Sequence, residues 1–209
     1  YILMRNKEVK AIEDYIKFMA GFTVRIISCD QNGEITNLRS GFLYHPNEMG
    51  DPMIITAGHD LSELGNLIET NLVNDEKKPL CVSTDKFKIF YNANDIDYAY
   101  SYLPKDKIQK SIDPSSSVEL KTYINRFDNA KKNELYGFAV FNDYAEFIML
   151  SSDKYELCRY WCYEVGLELI NQDDHFNYFR TSAHKKEDDY YKGASGSPIS
   201  DCEGRITSI

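Results

Sequence analysis

From Gly21 onward the chain is written in short runs rich in Val, Ile, Tyr and Phe, each bounded by Asn, Asp, Gly or Pro, and this limits its possible folds more than any other feature. Branched and aromatic side chains suit a pleated, half-buried surface, and the punctuating residues supply turns, so the runs read as β-strands. They are expected at Phe22 to Ile27, Ser40 to Tyr44, Met53 to Thr56, Phe87 to Tyr91, Tyr98 to Leu103, Leu135 to Phe141, Glu156 to Glu164, Phe176 to Thr181, Ser197 to Ser200 and Arg205 to Ile209. Many short strands joined by turns indicate a sandwich or barrel. The stretch Pro104 to Ser117, which ends in consecutive serines and lacks apolar periodicity, reads as a connector dividing the strands into two groups. Before the strands, Val9, Ile12, Ile16 and Met19 recur at the spacing of one helix face, so Glu8 to Met19 is expected to be helical.

The 209 residues suffice for one large all-β unit or two small barrels. With 24 basic against 33 acidic residues the net charge is -9, which repels phosphate backbones and anionic lipid, so neither nucleic acid nor a membrane is an expected partner. Apolar stretches such as Phe138 to Phe141 and Met53 to Ala57 fall far short of the roughly 20 residues a membrane-spanning helix needs. The opening Tyr1-Ile2-Leu3-Met4 lacks the order of a signal peptide, although a start at Tyr leaves room for a leader already removed. The five cysteines, Cys29, Cys81, Cys158, Cys162 and Cys202, are odd in number and irregularly spaced, which favours reduced thiols and a reducing, cytoplasmic setting. Cys158 and Cys162 share a strand-like run that would hold them roughly 13 Å apart, too far for a bond. No second pair completes a zinc site, so no metal is expected.

The chemistry concentrates in Gly193-Ala194-Ser195-Gly196-Ser197-Pro198. Small residues around a serine let the backbone turn sharply, uncover the hydroxyl and bring amides near a substrate carbonyl. Taken alone, such a cluster before a proline is more often an ordinary turn. A serine hydroxyl needs a base to take its proton. Of four histidines, His59 ends the apolar run Ile54-Ile55-Thr56-Ala57-Gly58, whereas His45, His175 and His184 lie in polar surroundings that read as surface loops. The base in turn needs a carboxylate to fix its tautomer. Asp97, directly before an alternating strand, is the first choice and Asp95 its rival, and either could simply cap a turn.

In their order along the chain, Thr56-Ala57-Gly58-His59, Asp97-Tyr98-Ala99 and Gly193 to Pro198 resemble the three signature blocks of the trypsin/chymotrypsin superfamily of serine peptidases. Ser40-Gly41-Phe42 is similar to the strand before the histidine block, and Tyr136-Gly137-Phe138 to the opening strand of a second barrel, so the resemblance runs from Phe22 to Ile209. It implies an all-β fold of two antiparallel six-stranded barrels, residues 22–112 and 113–209; the helical extension of residues 1–21, expected from its periodicity, is an addition that departs from the family. It also implies an endopeptidase acting on proteins or peptides without a cofactor, with His59, Asp97 and Ser195 as triad and the amides of Gly193 and Ser195 as oxyanion hole. The rival within the same fold is a non-catalytic or zymogen-like module that binds or regulates.

Ala194 stands where secreted members of the family carry an Asp that receives a new N-terminus, which draws the chain closer to bacterial or intracellular branches. The resemblance further implies that the second barrel is incomplete at Ile209, as in a portion of a longer polypeptide with further domains, or in a chain cleaved there. Asp189, six positions before Ser195, matches the pocket floor of members that cut after Lys or Arg. It also lies in the charged run Lys185 to Asp189, which reads equally as a solvated loop. Thr181 and His184 offer the other pocket, one for Glu or Asp. A cysteine nucleophile would need Cys at 195, and a nucleophile-elbow esterase the order Ser, Asp, His; the chain has neither.

Overall fold

A computed structural model shows an all-β protein built on two antiparallel sheets. It describes residues 10, 11, 14, 15, 18, 19, 23–29, 32, 35–45, 50–61, 67–73, 79–92, 95–103, 112, 113, 118, 119, 127–151, 154–181, 191 and 193–209. The strands are β1 (Thr23–Cys29), β2 (Ile35–Tyr44), β3 (Met53–Thr56), β4 (Leu67–Val73), β5 (Pro79–Ser83), β6 (Lys88–Asn92) and β7 (Ile96–Tyr102), followed by the short pair β8 (Ile112–Asp113) and β9 (Val118–Glu119). Then come β10 (Leu135–Ser151), β11 (Lys154–Gln172), β12 (Asn177–Arg180), β13 (Ile199–Asp201) and β14 (Ile206–Ser208). The first sheet has the order β5-β4-β1-β2-β3-β7-β6 and the second β12-β11-β10-β13-β14.

This corrects the expected pair of six-stranded barrels: seven strands are joined in the first sheet and five in the second. Two strands of the first sheet lie outside the expected runs, Leu67–Val73 and Pro79–Ser83, which fold as the antiparallel pair β4 and β5. Glu69-Thr70-Asn71 breaks the apolar alternation of β4, and Pro79 opens β5, a position that costs no ladder bond at a sheet edge. The second sheet ends at β14, with no sixth strand beside it among the described residues. Of the segment expected to be an N-terminal helix, Lys10, Ala11, Asp14, Tyr15, Phe18 and Met19 have helical backbone; no helix is bounded there and the other residues lie outside those described. Within the expected connector only Ile112 and Asp113 are described, and they form β8.

The first sheet is buried on both faces where it matters for the site. Neighbouring residues of a strand point to opposite faces. Ile54 accordingly joins Val24, Ile26 and Leu43 in one core, while Ile55 and Phe42 join Ala139 and Ile206 in a second core that also includes residues of the other sheet. All of β3 is therefore buried, and its side chains on either face have no free space in which to shift. Thr23 ties the sheets further: its hydroxyl donates to the carbonyls of Met19 (2.9 Å) and Ala139 (3.1 Å).

Candidate active site

Beyond Thr56, where β3 pairs with Ala99 of β7, the chain continues through Ala57 and Gly58 to His59. Asp97, the second residue of β7, receives it: Oδ1 accepts the amides of Gly58 (2.7 Å) and His59 (2.8 Å), and Oδ2 lies 2.6 Å from His59 Nδ1. A side chain at 58 would place its Cβ 2.8 Å from the carbonyl oxygen of Tyr98 and 3.1 Å from that of Phe90, so only glycine lets the amides approach the carboxylate so closely. An ionised carboxylate can only accept, so Nδ1 carries the ring proton and Nε2 is left as an acceptor. That bare nitrogen lies 2.9 Å from Ser195 Oγ.

Ser195 reaches this position from a turn between the two sheets. Gly193 (φ 87°) and Gly196 (φ 83°) bend the chain on either side of it, and the amides of Ala194 and Ser197 donate to Tyr191 O and Ala194 O, each at 2.9 Å. The amides of Gly193 and Ser195 donate no hydrogen bond among the described residues. Ser40 of β2 fixes the turn to the first sheet: its amide donates to Ser195 O (2.9 Å) and its hydroxyl to Gly193 O (2.7 Å), while its own carbonyl accepts the Thr56 hydroxyl (2.6 Å). Ser40 is buried, so Ser40→Ala leaves the Gly193 carbonyl without that donor. It is expected to lower stability by about 1–3 kcal/mol in urea unfolding, with the fold kept through the Ser40 amide.

Burial works to raise the pKa of Asp97, but the bonds from the His59 ring and from the amides of His59 and Gly58 outweigh it and hold the carboxyl below its ordinary value. A carboxyl depressed on folding adds stability that is complete above its unfolded pKa and is lost as pH falls through its folded one. The stability difference between the wild type and Asp97→Ala is therefore expected to be full at neutral pH and to shrink below about pH 4, where the unfolded carboxyl takes up its proton. Paired urea titrations read this directly, and a difference that grows on acidification contradicts it. The site is part-exposed, with the His59 and Asp97 side chains 33% and 34% accessible.

The rival carboxylate is placed elsewhere: Asp95 Oδ1 lies 3.7 Å from His175 Nε2, and its Oδ2 accepts from Asn92 Nδ2 at 3.0 Å. His45 Nε2 lies 2.6 Å from Gly50 O, away from this cluster. Thr181 is exposed just after β12, whereas His184 and Asp189 lie outside the described residues. Sequence reasoning missed Arg39, a buried residue of β2 whose Nη1 donates to the carbonyls of His59 (2.8 Å) and Ala57 (3.3 Å). The available signal was a cation inside the strand-like stretch that leads into Ser40-Gly41-Phe42. Among the described residues, no group of three or more His, Cys, Asp and Glu is placed to hold a metal ion, and no helix is long and apolar enough to cross a membrane.

The arrangement places a serine hydroxyl within hydrogen-bond reach of an imidazole nitrogen whose other nitrogen meets a carboxylate, a combination that can activate a hydroxyl as a nucleophile. No protein-family model matches the chain, and no curated protein matches it in sequence. Among solved structures it is similar to a mutant of the Tobacco Etch Virus Protease, with 13% identity and a TM-score of 0.48. The match covers 89% of this chain and 65% of that one, and a likeness of this size decides nothing about activity.

Proposed function

We propose that this chain is a serine endopeptidase of the chymotrypsin type, cleaving protein or peptide substrates through an acyl-enzyme. The observation that carries the reading is the relay in which Ser195 Oγ lies 2.9 Å from His59 Nε2 while Nδ1 lies 2.6 Å from Asp97. Both distances are within the range for proton transfer and orientation. Ser195 Oγ attacks the scissile carbonyl carbon and its proton passes to Nε2. The carbonyl oxygen, now negative, takes the amides of Gly193 and Ser195, each such donor being worth about 2.7–4 kcal/mol in a transition state of this kind. Collapse of the tetrahedral intermediate breaks the C–N bond, and the imidazolium gives its proton to the leaving amine. Water then attacks the ester with Nε2 as base, releasing the acid and restoring Ser195. Asp97 stays ionised and stabilises the imidazolium throughout.

The test is covalent. A fluorophosphonate probe is expected to leave one phosphonyl group on the peptide containing Ser195, located by mass spectrometry after digestion. An unmodified chain, or an adduct on another residue, removes the serine-peptidase reading and favours a non-catalytic binding module. The residue preceding the cut in a peptide library then decides the pocket: Lys or Arg supports Asp189, and Glu or Asp supports Thr181 with His184.

A further inference from the structure

We propose that Glu164 is a positioning residue for the turn that carries Ser195, and that it acts through Tyr191, whose hydroxyl it holds. This rests on the reading of the Gly193 and Ser195 amides as the oxyanion hole. Glu164 lies in β11 opposite Phe138 of β10 and is 3% exposed, so a carboxyl group sits in line with the core residues Leu167 and Leu169. The slip in register at Gly166 puts it there. Leu167 pairs with Tyr136 and Val165 with Gly137, so β11 takes in one extra residue, and Glu164 faces the same way as Leu167 instead of the opposite way. Taking a carboxyl group out of water is costly unless its oxygens are partnered. Tyr191 Oη donates to Glu164 Oε1 at 2.5 Å, and the Tyr191 ring lies 6.4 Å from that of Phe138. A leucine at 164 would join the same core without the cost, but it could not fix the tyrosine by a directed bond.

The backbone of Tyr191 connects this pair to the site. In a trans peptide unit the C=O and the N–H point in opposite directions. The unit between Gly193 and Ala194 is held at both ends: its oxygen accepts the Ser40 hydroxyl (2.7 Å) and its N–H donates to Tyr191 O (2.9 Å). Ser40 belongs to the first sheet, and Tyr191 is tied by Glu164 to the second. A peptide plane gripped from two sides cannot rotate without breaking a bond. This plane lies between the amides of Gly193 and Ser195, so its tilt sets the angle at which the two converge. The next unit is fixed as well, because Ala194 O accepts the Ser197 amide at 2.9 Å, which points the Ser195 N–H the other way. Ser40 alone would leave the first plane able to swing about the Gly193 oxygen, and glycine at 193 offers little resistance to such a swing. The bond from Tyr191 to Glu164 removes that freedom.

The experiment compares the wild type with Tyr191→Phe, Glu164→Leu and Glu164→Gln by amide hydrogen exchange in NMR, and by steady-state cleavage of a peptide with active sites counted by the fluorophosphonate. In Tyr191→Phe and Glu164→Leu the Ala194 amide is expected to exchange about tenfold faster, while that of Ile54, in the buried strand β3, keeps its wild-type rate. The same variants are expected to lose about tenfold in kcat with KM unchanged, because oxyanion donors act in the transition state. Glu164→Gln keeps an oxygen for the Tyr191 hydroxyl and is expected to restore both. If Glu164→Leu does not fold, Tyr191→Phe, which loses a single oxygen, makes the comparison. An unchanged Ala194 rate in Tyr191→Phe overturns the proposal, and so does a rise shared equally by Ile54, which marks lost stability overall. A loosened turn with kcat intact, or a Glu164→Gln as loose as Glu164→Leu, overturns it too. The exchange measurement needs no substrate, so it decides whether Glu164 and Tyr191 hold the turn even for a chain that the fluorophosphonate does not label; that failure bears only on the serine-peptidase reading.

Discussion

Ser195→Ala is expected to lower kcat for a cleavable peptide by about a million-fold, and Asp97→Asn by about ten-thousand-fold, both with an unchanged far-UV spectrum. The first removes the oxygen that lies 2.9 Å from Nε2 and would carry the acyl group. The second works without emptying the site. An asparagine at 97 can still accept the amides of Gly58 and His59 through its carbonyl oxygen, so the turn survives. Its NH2 group then faces Nδ1, where Asp97 Oδ2 now lies at 2.6 Å, and two donors cannot share that contact. The ring is driven to the tautomer with the proton on Nε2, which points a donor at Ser195 and leaves no base. Steady-state rates with active-site titration separate the two variants. An Asp97→Asn enzyme within tenfold of the wild type shows that the carboxylate does not set the tautomer.

Gly196→Ala is expected to cost about 2–5 kcal/mol of stability, combining overpacking of about 1–3 with a left-handed backbone penalty of about 1–2. Gly196 has φ 83°, and an added Cβ would collide with Ser40 O and approach Thr56 Oγ1 to 2.5 Å and Ala57 N to 2.6 Å. None of these neighbours can move freely. Ser40 holds Ser195 and Gly193, Thr56 is hydrogen-bonded to Ser40, and Ala57 is buried beside the His59 turn. Relief therefore requires the nucleophile turn to lift off the first sheet, which separates Ser195 from Nε2. Urea unfolding and phosphonylation rate are expected to fall together. A variant that is destabilised yet labels at the wild-type rate shows that the turn relaxes without displacing Ser195.

The parts of the fold that are legible in the sequence are those whose burial repeats in a simple way. Met53-Ile54-Ile55-Thr56 is apolar on both faces and becomes β3, buried throughout. The extent of β10 is harder to read, because Asn142-Asp143 looks like a turn after Phe141. In the structure the strand runs on to Ser151, and the polar residues fall where the register with β11 slips between Phe141 and Ala145. Gly166 similarly marks no end: it takes φ 79° at a second slip, beside the pairing of Gly137 with Val165, and β11 continues to Gln172. A bulge uses the residues of a turn without ending the strand.

The site divides along a similar line. The sequence singles out His59 and Ser195 as candidates because strand ends and small residues are local features, and Asp97 ahead of Asp95 because it directly precedes an alternating strand. The work of Arg39 and Ser40 is not readable, because it depends on which backbone carbonyls a strand residue meets from elsewhere in the chain. A long-range partner of this kind leaves no periodic trace.

Ser40 also orders events during synthesis. His59 follows β3 and Asp97 lies in β7 of the same sheet, whose last strand along the chain ends at Tyr102, whereas Ser195 lies 136 residues after His59 and is seated by a residue of β2. A chain still emerging from the ribosome thus carries a histidine and an aspartate already joined but nothing for them to activate. On the serine-peptidase reading proposed above, such a chain would stay inert until the turn bearing Ser195 has been made and has docked on β2, so its own growing strands would be left uncut while they are still exposed.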